Sequence, residues 1–160
     1  MILRRACPED AGAIARVHRQ TMRKSLDFLP ELHTETEDFV FMQNTFLPAN
    51  EVWVAEVDGE VVGYIGFHPG WIDHLYIAPD HQGCGLGPAL LDKALSDGGA
   101  RRLWTFQQNL RARAFYEKRG FRPKTFTDGA GNEEKTPMSF MSARLGMAFY
   151  RACNLAPLQA

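Results

Sequence analysis

The dipeptide Asp58-Gly59 stands between two runs of β-forming residues, and it constrains the fold more than any other feature of the sequence. The runs, Glu51–Val57 and Glu60–His68, are rich in valine and aromatic residues. Asp-Gly readily adopts the left-handed backbone conformation that a two-residue hairpin turn requires. The sequence therefore predicts two antiparallel strands in the middle of the chain.

Strand and helix patterns alternate after this hairpin. Further strands are predicted at residues 71–78, 101–107 and 121–126, and helices at residues 89–95 and 110–119. Glycine follows each of the two helices, as is typical of helix ends. This order indicates a mixed α/β (α+β) fold.

The front of the chain is predicted as a short strand, a helix, a loop and a second helix that ends before Pro48. The length of 160 residues fits one domain, which we place over residues 1–160. Hydrophobic residues make up 45% of the chain, enough for a packed core.

Charge and cysteine content exclude several classes of protein. The formal net charge is -1, so no basic field is available to attract nucleic acid. The cysteines, Cys7, Cys84 and Cys153, are odd in number and match neither a disulfide framework nor a zinc site. Neither a signal peptide nor a membrane span is visible in the sequence, so a cytoplasmic setting without membrane contact is expected.

The segment after the third strand carries three glycines at alternate positions, Gly83, Gly85 and Gly87, where a helix begins. Glycine lets a ligand approach the backbone, and the N–H groups at a helix start favour an anion. The segment is therefore predicted to bind phosphate, although a simple connecting turn would explain the same glycines. Pro88 replaces the third glycine of the dinucleotide pattern GxGxxG, so an NAD-type ligand is not indicated.

Two segments resemble motifs of the GNAT superfamily of N-acetyltransferases. Gln82, Gly85 and Gly87 match the signature QxxGxG/A. Residues 109–121 then contain an asparagine, alanines, a Phe-Tyr pair and a Gly-Phe pair, in the order of the family's second motif. The resemblance covers about residues 3–137, whereas residues 138–160 diverge from the family.

This resemblance implies both a fold and an activity. The fold would be a splayed, mostly antiparallel sheet flanked by helices. The enzyme would move the acetyl group of acetyl-CoA, its cosubstrate, to a primary amine of a small molecule or peptide by direct attack in a ternary complex. No metal is expected, because the five histidines show no HExxH spacing.

The resemblance also implies where coenzyme A binds. Strand backbone would run beside the pantetheine arm, with an N–H group facing the thioester carbonyl, and the amides of the turn would hold the pyrophosphate. Pro88 lacks an N–H group, so the turn has one donor fewer than in many relatives. The predicted coenzyme-binding residues are Leu75, Tyr76, Ile77, Gln82, Gly83, Cys84, Gly85, Leu86, Gly87 and Asn109.

Tyr116 lies seven residues after Asn109, close to two helical turns, so both residues fall on one side of a helix. The resemblance implies that Tyr116 is the general acid that protonates the departing thiolate, and that Asn109 contacts the pantetheine or its phosphate end. Without the motif, Tyr116 would be an ordinary buried tyrosine and Asn109 an ordinary helix cap.

A general base is needed because a lysine-like amine, with a pKa near ~10.4, arrives mostly protonated. Asp73 is the first candidate, since strict alternation along the strand puts it on the face of Leu75, beside the thioester. His74 is the second candidate, with a more suitable pKa but on the opposite face. A water chain without a single base is a third possibility.

In the family, the acceptor is shaped by the loops that correspond to residues 25–36 and 127–137. Both loops are acidic here and would attract a cation, although solvated polar loops would look the same. The carboxylates are Asp27, Glu31, Glu35, Asp128, Glu133 and Glu134.

The tail is predicted as a last strand at residues 138–141 and an extra C-terminal helix at residues 142–154. The apolar side of that helix would cover this sheet or join a second copy in a homodimer.

Two rival functions belong to other classes of protein. A non-catalytic acyl-CoA sensor would keep the glycine turn, but Tyr116 and Asp73 argue against it. An interaction module that uses the tail helix would leave the glycine spacing unexplained.

Overall fold

The computed structural model describes residues 1–143 as a seven-stranded sheet with helices on both faces. The strands are β1 (Ile2–Arg5), β2 (Glu51–Val57), β3 (Glu60–His68), β4 (Trp71–Ile77), β5 (Arg101–Phe106), β6 (Arg122–Phe126) and β7 (Met138–Ala143). The helices are α1 (Ala11–Ser25), α2 (Glu35–Phe41), α3 (Leu47–Ala49), α4 (Leu86–Leu95) and α5 (Leu110–Lys118). Over residues 1–143, none of these helices has the length and apolar character needed to cross a membrane.

The central hairpin forms as the sequence predicts. Asp58 and Gly59 have φ angles of 50° and 81°, and β2 pairs with β3 in antiparallel register. Two consecutive residues with positive φ give the turn a twist that matches the twist of the strands.

The sheet splits between β4 and β5. The strand order is β1-β2-β3-β4-β5-β7-β6, and β4 and β5 are parallel because a crossover through α4 joins them. Their registered pair is Trp71 with Arg102, at the start of β4. The two strands diverge beyond this pair, which confirms the predicted splayed, mostly antiparallel sheet and opens a cleft at its centre.

Each face of the sheet carries its own apolar layer. Ile14 and Val17 of α1 pack with Phe46 on one face, and Leu90 and Leu91 of α4 pack on the other. Gly66 of β3 lies under Phe46, because a Cβ atom there would stand 2.1 Å from the ring. Phe46 therefore approaches the sheet more closely than a larger residue at position 66 would allow.

The prediction that Pro48 ends the second helix was wrong. A π-helical turn, Met42–Phe46, continues α2 into α3, and the N–H of Leu47 bonds the Met42 carbonyl. Pro48 stands in the first turn of α3, where a missing N–H group costs little.

The predicted last strand is confirmed as β7, which extends two residues further, to Ala143. Ser142 and Ala143 therefore belong to a strand and not to the predicted C-terminal helix. The rest of that helix lies outside the described residues.

Candidate active site

The glycine turn leads from β4 into α4. Gly83 and Gly85 have φ angles of 83° and 82°, and Gly85 is the residue before α4. This left-handed conformation costs residues with a Cβ atom ~1–2 kcal/mol, which explains the two glycines.

The backbone N–H groups of the turn, at residues 83–87, have no hydrogen-bond partner within residues 1–143. Five such donors at a helix start suit an anion with several oxygen atoms, such as a diphosphate. The residues present therefore fit the phosphate end of coenzyme A.

Gln82 fixes the turn in place. Its Nε2 donates to the Ile77 carbonyl at 3.0 Å and to Ser25 Oγ at 3.1 Å, and its Oε1 accepts from Arg111. Thr21 Oγ1 lies 3.1 Å from the Ile77 carbonyl and 2.9 Å from the Val17 carbonyl, so these two acceptors share its one proton. The bond from Gln82 therefore anchors the turn to the Ile77 carbonyl at the end of β4.

A groove of about 680 Å³ runs from this turn along the end of β4. Lys24 and Arg111 lie on its walls and supply the positive charge that the neutral Gln82 does not. Neither residue is among the coenzyme-binding residues predicted from the sequence, because α1 and α5 reach the turn only after folding.

The other residues of the turn differ in where their side chains lie relative to the groove. Cys84 is exposed and Leu86 is buried in the core under the sheet, so the side chain of Leu86 faces away from the groove. A Cβ atom on Gly87 would lie 3.7 Å from Phe115, which forms part of the groove wall.

Asn109 and Tyr116 stand on one side of α5, as their spacing predicts. Asn109 Oδ1 accepts from the Ala112 N–H at 3.0 Å, so its side chain caps the helix. Tyr116 is 7% exposed and packs edge-on against Phe115 and Phe121. Burial raises the pKa of its phenol, which keeps the group protonated at neutral pH.

A second pocket, of about 470 Å³, fills the cleft between β4 and β5. The groove and this pocket share one junction, where a ligand in one can touch a ligand in the other. The shared residues are Leu26, Leu75, Tyr76, Asn109, Ala112 and Tyr116.

The strand residues reach this junction from β4. Leu75 and Tyr76 pair with Ile65 and Tyr64 of β3, and their opposite edge faces the cleft because β5 has diverged. Free strand edge of this kind can hydrogen-bond an amide-bearing ligand as an added strand would.

A β-bulge at Asp73 breaks the alternation used to place it. Ile72 pairs with Phe67 and His74 with Gly66, so Asp73 has no partner in this ladder. Its position on the face of Leu75 therefore does not follow from the sequence. Asp73 is exposed and lines the second pocket, and its Oδ1 lies 3.2 Å from His68 Nε2.

His74 packs on the face of the sheet opposite Leu75. Its ring stacks on Phe46 at 4.4 Å, and its Nδ1 lies 3.0 Å from the Tyr64 hydroxyl. Burial and the neighbouring His18 lower the pKa of His74 to about 3. Such an imidazole is a weak proton acceptor at neutral pH.

Carboxylates surround the second pocket. Its lining holds no Lys or Arg among residues 1–143, and five acidic side chains contribute to it. They are Glu37, Asp38, Asp73, Glu133 and Glu134. Burial, and secondarily the charge of Glu134, raise the pKa of Tyr76 to about 12.

Other acidic loop residues are compensated by arginines. Glu31 forms ion pairs with Arg19 and Arg23, and Glu35 lies 3.7 Å from Arg19. Of the loop carboxylates predicted to attract a cation, Glu133 and Glu134 line the second pocket, and Glu133 lies 3.1 Å from His33 Nε2.

Comparison with known proteins agrees with this arrangement. Residues 18–121 match the model of the Acetyltransferase (GNAT) family. The chain belongs to this family. It is accordingly an acyltransferase of the N-acetyltransferase class, as the two motifs predicted.

Relatives of known name support the family assignment. The chain is 34% identical over 122 residues to peptidyl-lysine N-acetyltransferase YjaB of Escherichia coli, a match that covers 75% of this chain and 81% of YjaB. The solution structure of apo-form YjaB has a TM-score of 0.73 and 27% identity, covering 91% of this chain and 99% of that one. Both comparisons place the chain among GNAT proteins of similar length.

The fold is also that of more distant GNAT structures. The structure of yncA from Salmonella typhimurium with its cofactor acetyl-CoA has a TM-score of 0.71 at 20% identity. It covers 91% of this chain and 94% of that one.

Proposed function

We propose that this GNAT enzyme transfers the acetyl group of acetyl-CoA to a primary amine, by direct attack while both substrates are bound. The observation that carries this proposal is the junction at Tyr116, where the groove of the glycine turn meets the acidic pocket. A donor and an acceptor bound in the two spaces would have their reacting ends in contact there.

In this proposal, the turn and the adjoining strand edge hold the coenzyme. The N–H groups of residues 83–87 would bind the diphosphate, with Lys24 and Arg111 compensating its charge. Leu75 and Tyr76 would pair with the pantetheine amides, and an N–H of this strand would face the thioester oxygen. The coenzyme supplies the activated acyl group.

Tyr116 would act as the general acid. It stands at the junction as a protonated phenol, where it can give its proton to the departing thiolate. Asn109 caps α5 and so fixes the helix that carries Tyr116, and a contact between Asn109 and the ligand stays a prediction. The absence of a metal requirement also stays a prediction.

The acceptor we propose is a cationic amine, with the side chain of a peptidyl lysine as the first choice. Of the five carboxylates around the pocket, Asp38 forms an ion pair with Arg19. The remaining four pair with no Lys or Arg among residues 1–143, and they favour a cation over a neutral or acidic acceptor. They are Glu37, Asp73, Glu133 and Glu134. The name of the relative YjaB, a peptidyl-lysine N-acetyltransferase, points to the same acceptor.

A thiol-release assay tests this function. The purified chain is mixed with acetyl-CoA and a short peptide that contains one lysine and a blocked N-terminus, and the product is read by mass spectrometry. We expect acetylation of the lysine and none in the matched peptide with arginine at that position. Binding of acetyl-CoA without transfer to this peptide or to a panel of small amines would favour the acyl-CoA sensor instead.

A further inference from the structure

A buried hydroxyl joins two histidines beside the acceptor pocket. Tyr64 is completely buried, and its hydroxyl oxygen lies 3.0 Å from His74 Nδ1 and 3.2 Å from His18 Nδ1. The two imidazole rings are stacked with centroids 5.2 Å apart. These residues come from α1, β3 and β4, and neither motif of the sequence contains them.

The hydrogen bonds of this triad restrict the protonation of the two rings. A phenol has one proton, so Tyr64 can donate to only one Nδ1 atom and must accept from the other. The ring that donates carries its proton on Nδ1, which leaves a lone pair on its Nε2. When both histidines are neutral, one of them therefore has an unprotonated, basic Nε2 atom. The Nε2 atom of the other ring carries a proton and can only donate it.

The surroundings of the two rings favour His18 as the base. Burial lowers the pKa of both rings, and at His74 the pKa falls to about 3. At His18 the charge of Asp38 opposes the effect of burial, whereas Arg19 and His33 add to it. His74 is instead stacked against Phe46 and faces the edge of Tyr76. A proton that enters the triad is thus more stable on His18 than on His74.

His18 also stands where an acceptor would bind. It is half-buried, lines the second pocket and contacts the Tyr76 ring at the junction, with centroids 4.9 Å apart. Several ionisable groups face it from the elements packed around it. They are Tyr64 on β3, His74 and Tyr76 on β4, Asp38 on α2, Arg19 on its own helix, and His33 and Glu134 from the loops.

We propose that His18 is the general base of this enzyme, with Tyr64 and His74 as positioning residues that hold its proton on Nδ1 and its lone pair on Nε2. The proposal rests on the proposed amine acetyltransferase function. It replaces Asp73, whose carboxylate contacts His68, and His74, whose imidazole faces aromatic rings.

An ammonium acceptor loses two protons as its nitrogen takes the acyl group. The nitrogen gives one proton to His18 Nε2 and then attacks the acyl carbon, so that a C–N bond forms and the C–S bond breaks. The departing thiolate takes the phenol proton of Tyr116. The nitrogen then gives its second surplus proton to Tyr116, which returns this residue to its protonated form. His18 finally releases its proton to solvent.

The pH dependence of kcat/KM distinguishes this base from the others. Neutral His18 is the active form, and its pKa is lowered from 6.5, so activity should be lost as the pH falls through a value below 6.5. Between this value and the amine pKa near ~10.4, the wild-type profile should be flat. With Nα-acetyl-lysine amide as acceptor, His18→Gln should lower kcat/KM at pH 7 by ~100-fold. The kcat/KM of this variant should then rise tenfold per pH unit through the neutral range, because only the free-base amine can react without the histidine.

Two further variants serve as comparisons. Asp73→Asn and the matched His68→Gln should both retain the wild-type pH profile. The proposal is overturned if either of them removes the inflection below pH 6.5, or if His18→Gln keeps it while circular dichroism shows a folded chain.

A second measurement does not depend on activity. Nitrogen-15 spectra of the wild-type histidine rings at pH 8 should show His18 with its proton on Nδ1, and Tyr64→Phe should remove this preference. A His18 ring protonated on Nε2 in the wild type would exclude the proposed base, whether or not the chain acetylates amines. Failure of the wild type to acetylate any amine, with His18 protonated on Nδ1, would instead count against the proposed function alone.

Discussion

The donor groove and the acceptor pocket meet at one junction, but they are built from different parts of the chain. The groove offers mainly backbone: the N–H groups of residues 83–87 and the free edge at Leu75 and Tyr76. The pocket offers mainly side chains, among them His18, Asp38 and Glu134, from three separate segments. A site made of backbone depends on a few local residues such as glycine, whereas a site made of side chains depends on how distant segments pack.

The largest effect is expected at the groove. Gly85→Val introduces a Cβ atom at a φ of 82° and places side-chain atoms in the open space of the turn. Loss of two hydrogen bonds to a charged group costs ~3 kcal/mol, so CoA affinity measured by calorimetry should fall ~100-fold.

Gly59→Val is the matched control for this variant. Gly59 has a φ of 81° and the same open surroundings, but it lies in the β2–β3 hairpin. It should lose a similar amount of stability and no CoA affinity. If the two variants bind CoA equally well, the glycine turn is not the phosphate site.

A smaller effect is expected at the junction. Tyr116→Phe removes the phenol proton and keeps the packing against Phe115 and Phe121. General acid catalysis is worth ~100-fold, so kcat in the thiol-release assay should fall at least ~10-fold. The affinity for acetyl-CoA should stay near that of the wild type, and an unchanged kcat would remove the proposed role of Tyr116.

The smallest effect is expected at the acidic wall. Glu134→Gln removes a charge from the lining of the second pocket, and a partly exposed ion pair is worth ~0.2–1 kcal/mol. The KM for a lysine peptide should therefore rise by ~1.4- to 5-fold. The KM for acetyl-CoA should not change.

Glu60→Gln removes the same charge from the exposed hairpin and is the control for Glu134→Gln. Added salt should reduce the difference between the wild type and Glu134→Gln, because solvent ions screen this attraction. Equal KM values for both variants would show that Glu134 does not select the acceptor.

The contrast between groove and pocket also explains what the sequence could predict. The hairpin at Asp58-Gly59, the strand–helix order and the glycine turn follow from local patterns, and the structure places them as expected. Tyr116 and Asn109 were placed on one side of α5 by helical spacing alone.

Other features depended on packing between distant segments. The bulge at Asp73 depends on the register with β3, so strict alternation along the sequence cannot place this residue. Arg111 reaches the turn through Gln82, across 29 residues of sequence. His18 hydrogen-bonds Tyr64, across 46 residues, and meets the junction through the ring of Tyr76. A signal for His18 existed, since His18, Thr21 and Ser25 recur at helical spacing on α1, on the same side as the buried Ile14 and Val17.

A titration of the nitrogen-15 labelled chain with CoA tests the central claim most directly, namely that the backbone of the glycine turn binds the coenzyme diphosphate. The account predicts that the amide signals of residues 83–87 shift most, and that pantetheine, which lacks the diphosphate, leaves them nearly unchanged. Unchanged signals from these amides at millimolar CoA, or equal shifts with pantetheine, would contradict it.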